Sequence, residues 1–229
     1  MGDSLVTVIH NAAIATVDDR DAVHYRAAIA IDGRRIAAIG DSATILAKYP
    51  YAERIDGTNK LVMPGFANSH THVASNLLLR GLLEDVHLFE WLQTMWKLKR
   101  NFDHDTLYWA SLCGLLEMTK AGITSFNEHF DAYAVEPEIE ALNMIPLRAT
   151  LGHGFADRGL YESITEKSWR TLENFGDVVS AHHRTRDDML WMALSPHAVY
   201  SCGADMWNLV RQVADAYQVP IHTHLSEGM

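Results

Sequence analysis

After Pro64-Gly65 the sequence alternates between short β-rich runs and longer amphipathic stretches, and this alternation constrains the fold more than any other feature. Strand candidates cover residues 65–70, 123–128, 146–153, 189–195 and 220–225. Between them the spacing predicts helices. Residues 103–121 open on a capping Asp103, end before Gly122, and bring Leu107, Ala110, Gly114, Leu115 and Met118 to helical spacing. Residues 205–217 repeat the pattern with Leu209, Val210, Val213 and Tyr217 on one face. Residues 161–181 read as one further helix and 135–143 as a shorter one. Strands that alternate with helices require a parallel sheet, either doubly wound or curled into a (β/α) barrel. No G-x-G-x-x-G or G-x-x-x-x-G-K run follows a strand, which argues against a nucleotide-binding sheet. The expected fold is α/β, an incomplete TIM-like (β/α) barrel of about five βα units.

The N-terminal stretch differs. Leu5 to His10, Ala27 to Ile31 and residues 35–40 are β-rich, and Asp32-Gly33 is a hairpin turn signal. Residues 1–62 are expected to form a small β-domain, part of a β-sandwich, ahead of the barrel domain at 63–229.

Composition excludes several classes. The chain has 229 residues, 48% of them hydrophobic, which is enough for a packed core. A net charge of −10 with scattered basic residues repels phosphate backbones, so no nucleic-acid partner is expected. No apolar run reaches the roughly 18 residues that cross a bilayer, and residues 1–4 show no signal peptide. The two cysteines, Cys113 and Cys202, stand far apart and read as small buried hydrophobes of a cytoplasmic protein.

Chemistry concentrates in the histidines. In Ser69-His70-Thr71-His72, residues two apart on a strand share one face, so both imidazoles point into the barrel mouth. Neutral imidazole suits zinc, iron or nickel. Ile221-His222-Thr223-His224-Leu225-Ser226-Glu227 repeats the arrangement at the end of the fifth strand and adds a carboxylate. An open hydrolytic metal site needs a third ligand and a proton shuttle, which His224 and Glu227 can supply. In a barrel, the C-terminal strand ends are where such groups belong. His153 and His183 read as packing or surface residues.

The run Val62-Met63-Pro64-Gly65-Phe66-Ala67-Asn68-Ser69-His70-Thr71-His72 resembles the opening of the amidohydrolase superfamily. The branch is that of adenosine-analogue deaminases, guanine and cytosine deaminases and triazine chlorohydrolases. Leu79-Arg80-Gly81, Phe89-Glu90-Trp91-Leu92, Ala121-Gly122-Ile123-Thr124-Ser125, Ser195-Pro196-His197 and His222-Thr223-His224-Leu225-Ser226-Glu227 extend the likeness in the family's order. The resemblance implies that His70, His72 and His224 hold one divalent ion, zinc or iron, and that Glu227 protonates a ring nitrogen. It implies substrate contacts from His197 and Glu90. His129 stands where the family varies with substrate and is taken as a pocket residue. The implied reaction is hydrolytic deamination of a purine nucleoside or related aminated heterocycle. Alternatives are a triazine chlorohydrolase, a guanine-type deaminase, or a non-catalytic subunit retaining the fold.

The family pattern also has a histidine after the sixth strand and an aspartate after the eighth, neither of which lies within these 229 residues. The chain is thus expected to be truncated, to work as a homo-oligomer or with a complementing chain, and to have little deaminase activity alone.

Overall fold

The computed structural model describes residues 6–129 and 135–227. Leu5, expected to open the first strand, and the Met1–Ser4 stretch read for a signal peptide lie outside the described residues. Contacts divide the chain into two compact units, residues 1–65 and 66–229.

The first unit is built on β1 (Thr7–Ala15), which pairs antiparallel with β2 (Val23–Asp32). β3 (Arg35–Asp41) returns from β2 across Gly33, whose φ of 55° suits the tight turn. The other edge of β1 is shared by two parallel partners, β4 (Glu53–Asp56) and β5 (Leu61–Val62). Period-two alternation buries Ala12, Ile14, Ala27 and Ile29 on one face. Val8, Ala28 and Ala30 pack on the other face with Ile45 of helix α1 (Ser42–Lys48). Asp41 caps that helix, its carboxylate accepting from Ala43 N and Thr44 N.

The second unit is the expected parallel sheet. β6 (Phe66–Thr71), β7 (Ile123–Glu128), β8 (Arg148–Phe155) and β9 (Leu190–Pro196) lie in sequence order and all run parallel. Helices α2 (Val73–Leu79), α3 (Leu88–Lys99) and α4 (His104–Lys120) join β6 to β7. α5 (Glu136–Met144) joins β7 to β8. Among the described residues the sheet does not close, so this is part of a (β/α) barrel. The expected fifth strand appears only as isolated bridges, Leu194 to Ile221 and Ala198 to His224. Pro220 supplies no N–H there, although its carbonyl accepts from Leu194 N.

Local chemistry explains the helix ends. The Asp103 side chain accepts from Thr106 N at 2.8 Å, and Gly122 follows α4 with φ of 78°. The stretch 161–181 is not one helix. It divides into a 3-10 turn (Gly159–Ile164), α6 (Thr165–Glu173) and α7 (Phe175–His182). Asn174 makes the break: its Nδ2 donates to the Arg170 carbonyl at 2.7 Å and competes with the helical pattern. Tyr161, Ile164, Leu172 and Phe175 are all buried, so the apolar spacing reads as continuous through the break. A single turn, α8 (Thr185–Asp188), with left-handed residues, precedes β9, and α9 (Ala204–Tyr217) closes the described helices. Cys202 is buried as expected; Cys113 is exposed on α4.

Along β8 and β9 the side chains alternate. Leu151, Phe155, Leu190, Met192 and Leu194 enter the helix-facing core with Leu172, Phe175, Met206 and Val210. His153 shares that face, stacked on Phe155 with ring centroids 5.2 Å apart, and its Nδ1 has no hydrogen-bond partner among the described residues. Burial pulls its imidazole down to about 4, against an opposing hydrogen bond with the Gly154 backbone. An unfolded chain takes up this proton near pH 6.5, but the folded one resists until about 4. Stability is therefore expected to fall as pH drops through that window and to be insensitive to this group above it. Urea titrations at several pH values will show it, and His153→Leu should flatten the slope. A slope unchanged by that substitution assigns the acid sensitivity elsewhere.

Candidate active site

The histidines reach their positions through an irregularity in β6. Asn68 pairs with Phe126 and Thr71 with Glu128, so two residues of β6, Ser69 and His70, oppose the single Asn127 of β7. An extra residue of this kind re-aims side chains. Phe126 packs into the helix-facing core, and its partner Asn68 reaches Met118 on α4. Unbroken alternation would send His70 the same way; the bulge turns it to the opposite face. Thr71 is buried beside Glu128, which leaves His72 on His70's side.

At the C-terminal end of the sheet these imidazoles converge. One ring nitrogen from each of His70, His72 and His224 lies within 4.8 Å of the others. His224 Nε2 and His70 Nε2 are 3.3 Å apart. His197, His224 and Glu227 form a second group within the same limit. His129 is fully buried with its ring centroid 3.9 Å from that of His224. His222, the other member of its pair, lies with Nε2 3.0 Å from His70 Nδ1.

The electrostatics favour neutral rings. Burial, then the neighbouring imidazoles, hold His129 far below the ordinary imidazole range. Burial brings His197 down to about 3, and also lowers His222 and His224. A neutral imidazole is the form that ligates metal. His224 Nδ1 stands 3.1 Å from the His197 carbonyl oxygen, which can only accept, so Nδ1 carries the proton and Nε2 presents a lone pair. On a tetrahedral zinc with bonds of about 2.1 Å, two nitrogens stand about 3.4 Å apart. The His70–His224 separation fits a cation of this kind.

A cavity of about 230 Å³ opens beside the cluster, lined by His72, His197, His224 and Glu227 together with Trp91, Leu92, Met95, Trp96, Tyr161, Arg80 and Lys99. Tyr200 Oη donates to Glu227 Oε2 at 2.7 Å, and burial followed by Glu227 keeps that phenol protonated well above its usual range. His197 is buried, with Nδ1 2.9 Å from Ser201 Oγ and Nε2 3.3 Å from Tyr161 Oη.

Two residues expected at the substrate do not line this cavity: His129 is fully buried against His224, and Glu90 is exposed. Leu92, Met95, Trp96 and Lys99, at i, i+3, i+4 and i+7, are the face of α3 that does, and Glu90 lies about 200° round the helix from Leu92. Tyr200 escaped the sequence reading because it comes from an irregular segment, and Tyr161 read only as the start of a helix.

A parallel (β/α) sheet with imidazoles and a carboxylate gathered at the C-terminal strand ends has the build of a metal-dependent hydrolase. The chain belongs to the amidohydrolase family, whose model, Amidohydrolase family, matches residues 61–228. A model for the imidazolonepropionase-like composite domain of bacteria matches residues 27–50. Among curated relatives, 5'-deoxyadenosine deaminase of Methanocaldococcus jannaschii is 34% identical over 88% of this chain and 46% of its own length. The 5-methylthioadenosine/S-adenosylhomocysteine deaminase of Pyrococcus furiosus is 37% identical over 76% of this chain and 40% of its own. The chain thus spans about half the length of the curated relatives it matches. Two solved structures share the fold. An adenosine deaminase from Xanthomonas campestris with bound zinc superposes with TM-score 0.81 at 22% identity, covering 95% of this chain and 48% of that one. The atrazine chlorohydrolase of Arthrobacter aurescens complexed with zinc gives 0.82 at 22%, covering 96% and 53%.

Proposed function

We propose that this chain carries the zinc ligands and the proton shuttle of a deaminase acting on a purine nucleoside of the adenosine type. The observation that carries the reading is the convergence of His70, His72 and His224 next to Glu227. Relatives above 30% identity are named as deaminases of 5'-deoxyadenosine and of methylthioadenosine or S-adenosylhomocysteine, which supports the substrate class. The chlorohydrolase shares the fold at lower identity and supports no substrate assignment.

His70, His72 and His224 would hold the cation, and when bound it supplies Lewis-acid activation of water. Deamination forms a C–O bond at the ring carbon and breaks its C–N bond to the amine. Glu227 would take a proton from the attacking water and pass it to the adjacent ring nitrogen, then relay the second water proton to the departing amine. The Tyr200 hydroxyl occupies Glu227 Oε2, which leaves Oε1 for that transfer. Trp91, Leu92, Met95 and Trp96 offer an apolar wall to a planar base. His197, anchored by Ser201, lines the same space and would meet substrate there.

Metal analysis of the purified protein is expected to find about one zinc per chain, lost on replacing His70 or His72 with alanine. With the barrel completed, turnover should be fastest with adenosine-type substrates in a panel read as ammonia release from these and from guanine, and as chloride release from a chlorinated triazine. Protein that retains no ion, or retains it equally without both imidazoles, would sink the metal assignment; preference for the triazine would sink the substrate class.

A further inference from the structure

His222, the first histidine of the 222–224 pair, is held differently from His224. His222 Nδ1 stands 3.2 Å from the backbone carbonyl oxygen of Glu128. A carbonyl only accepts, so this nitrogen must carry the proton. A neutral imidazole has one N–H, and His222 Nε2 is therefore a bare acceptor. It lies 3.0 Å from His70 Nδ1, and a hydrogen bond between two ring nitrogens needs one proton, which only His70 can supply. His70 is left with its lone pair on Nε2, the atom that faces His224 Nε2 at 3.3 Å. His224 Nε2 is bare too, because its own proton goes to the His197 carbonyl. Two lone pairs facing at that distance repel, and a cation between them removes the repulsion.

We propose that His222 is a positioning residue, a one-proton relay from the β7 backbone that locks His70 into its ligating tautomer, and not itself a ligand. The proposal rests on the cation-site reading above. The Glu128 carbonyl that anchors the relay is held by the sheet: Thr71 pairs with Glu128, and His129 N donates to the Thr71 carbonyl. His222 could turn Nε2 toward a cation only by giving up both of its hydrogen bonds. A ligating histidine ordinarily hands its second N–H to a carboxylate, carbonyl or water. Here an imidazole takes that place and passes the same polarity on to a carbonyl.

Two variants separate the possibilities. His222→Phe keeps a planar ring and removes the acceptor; His222→Gln restores an acceptor through its side-chain carbonyl. Zinc affinity by chelator competition, cobalt(II) absorption spectra, and ring-nitrogen NMR of the metal-free protein are the readouts. His222→Phe is expected to bind the same number of zinc ions about 10- to 100-fold more weakly. Its cobalt spectrum should keep the parent shape, and its His70 should shift from the Nδ1–H toward the Nε2–H tautomer. His222→Gln should recover most of the affinity. Unchanged affinity and an unchanged His70 tautomer in His222→Phe would overturn the relay. So would a lost ion or an altered cobalt spectrum, which would make His222 a ligand. If the parent protein takes up no zinc, the cation reading falls, and the His70 tautomer alone decides the relay.

Discussion

With the barrel completed by the strands its relatives carry, Glu227→Gln is expected to lower the deamination rate by roughly 10²- to 10⁴-fold while leaving zinc content unchanged, the range typical of losing a positioned general acid–base. The substitution is nearly isosteric. The amide oxygen of glutamine can still accept from Tyr200 Oη, so the local hydrogen bond at 2.7 Å survives. What disappears is a group able to hold a proton and release it to a ring nitrogen. The three imidazoles assigned to the cation do not include this carboxylate, although it lies within 4.8 Å of His224. Rate and metal content should thus separate. Rates within threefold of the parent would remove Glu227 from proton transfer, and parallel loss of zinc would make it a ligand.

The alternation was legible because β8 and β9 are largely buried runs and α4 and α9 repeat buried side chains at helical spacing. The motif around His70 was legible for a simpler reason: residues two apart share a face whichever face that is. The barrel mouth was the expected face, but the bulge opposite Asn127 that turns His70 toward it was not legible, being a matter of register between strand partners 57 and 58 residues apart in sequence. Glu90 shows the opposite error. A carboxylate beside Trp91 and Leu92 looks like part of one motif, but on a helix neighbours in sequence diverge by about 100°. The pocket takes Leu92 and leaves Glu90 outside. Asn174 could have been read as a helix end, yet the buried spacing of Leu172 and Phe175 runs through it and hides the break. Tyr200 had no local pattern and Tyr161 read only as buried helix; tertiary structure brings them to Glu227 and His197.

Gly152→Val is expected to destabilise the second unit by at least about 3 kcal/mol, at the upper end of what overpacking costs. It should also weaken zinc binding in whatever protein still folds. Gly152 lies on β8 opposite Ala193 of β9, on the face away from the helix-packed core. Any Cβ at this position would overlap Ser195 Oγ and lie 2.6 Å from the Glu128 carbonyl oxygen. Ser195 is fully buried and could turn its hydroxyl aside, but the carbonyl is backbone, held in the sheet by the Thr71–Glu128 pairing. Alanine already meets that oxygen, and the branched valine adds two methyl groups with a narrow choice of rotamers. The carbonyl under pressure is the one that accepts from His222 Nδ1 at 3.2 Å. A shift that lengthens this bond frees the His222 ring and, through it, His70. Packing and ligand geometry therefore meet at one atom, and the two readouts should move together. A urea midpoint matching the parent would show that the strand yields without cost. A lowered midpoint with unchanged zinc affinity would show that the Glu128 carbonyl does not govern the ligand set.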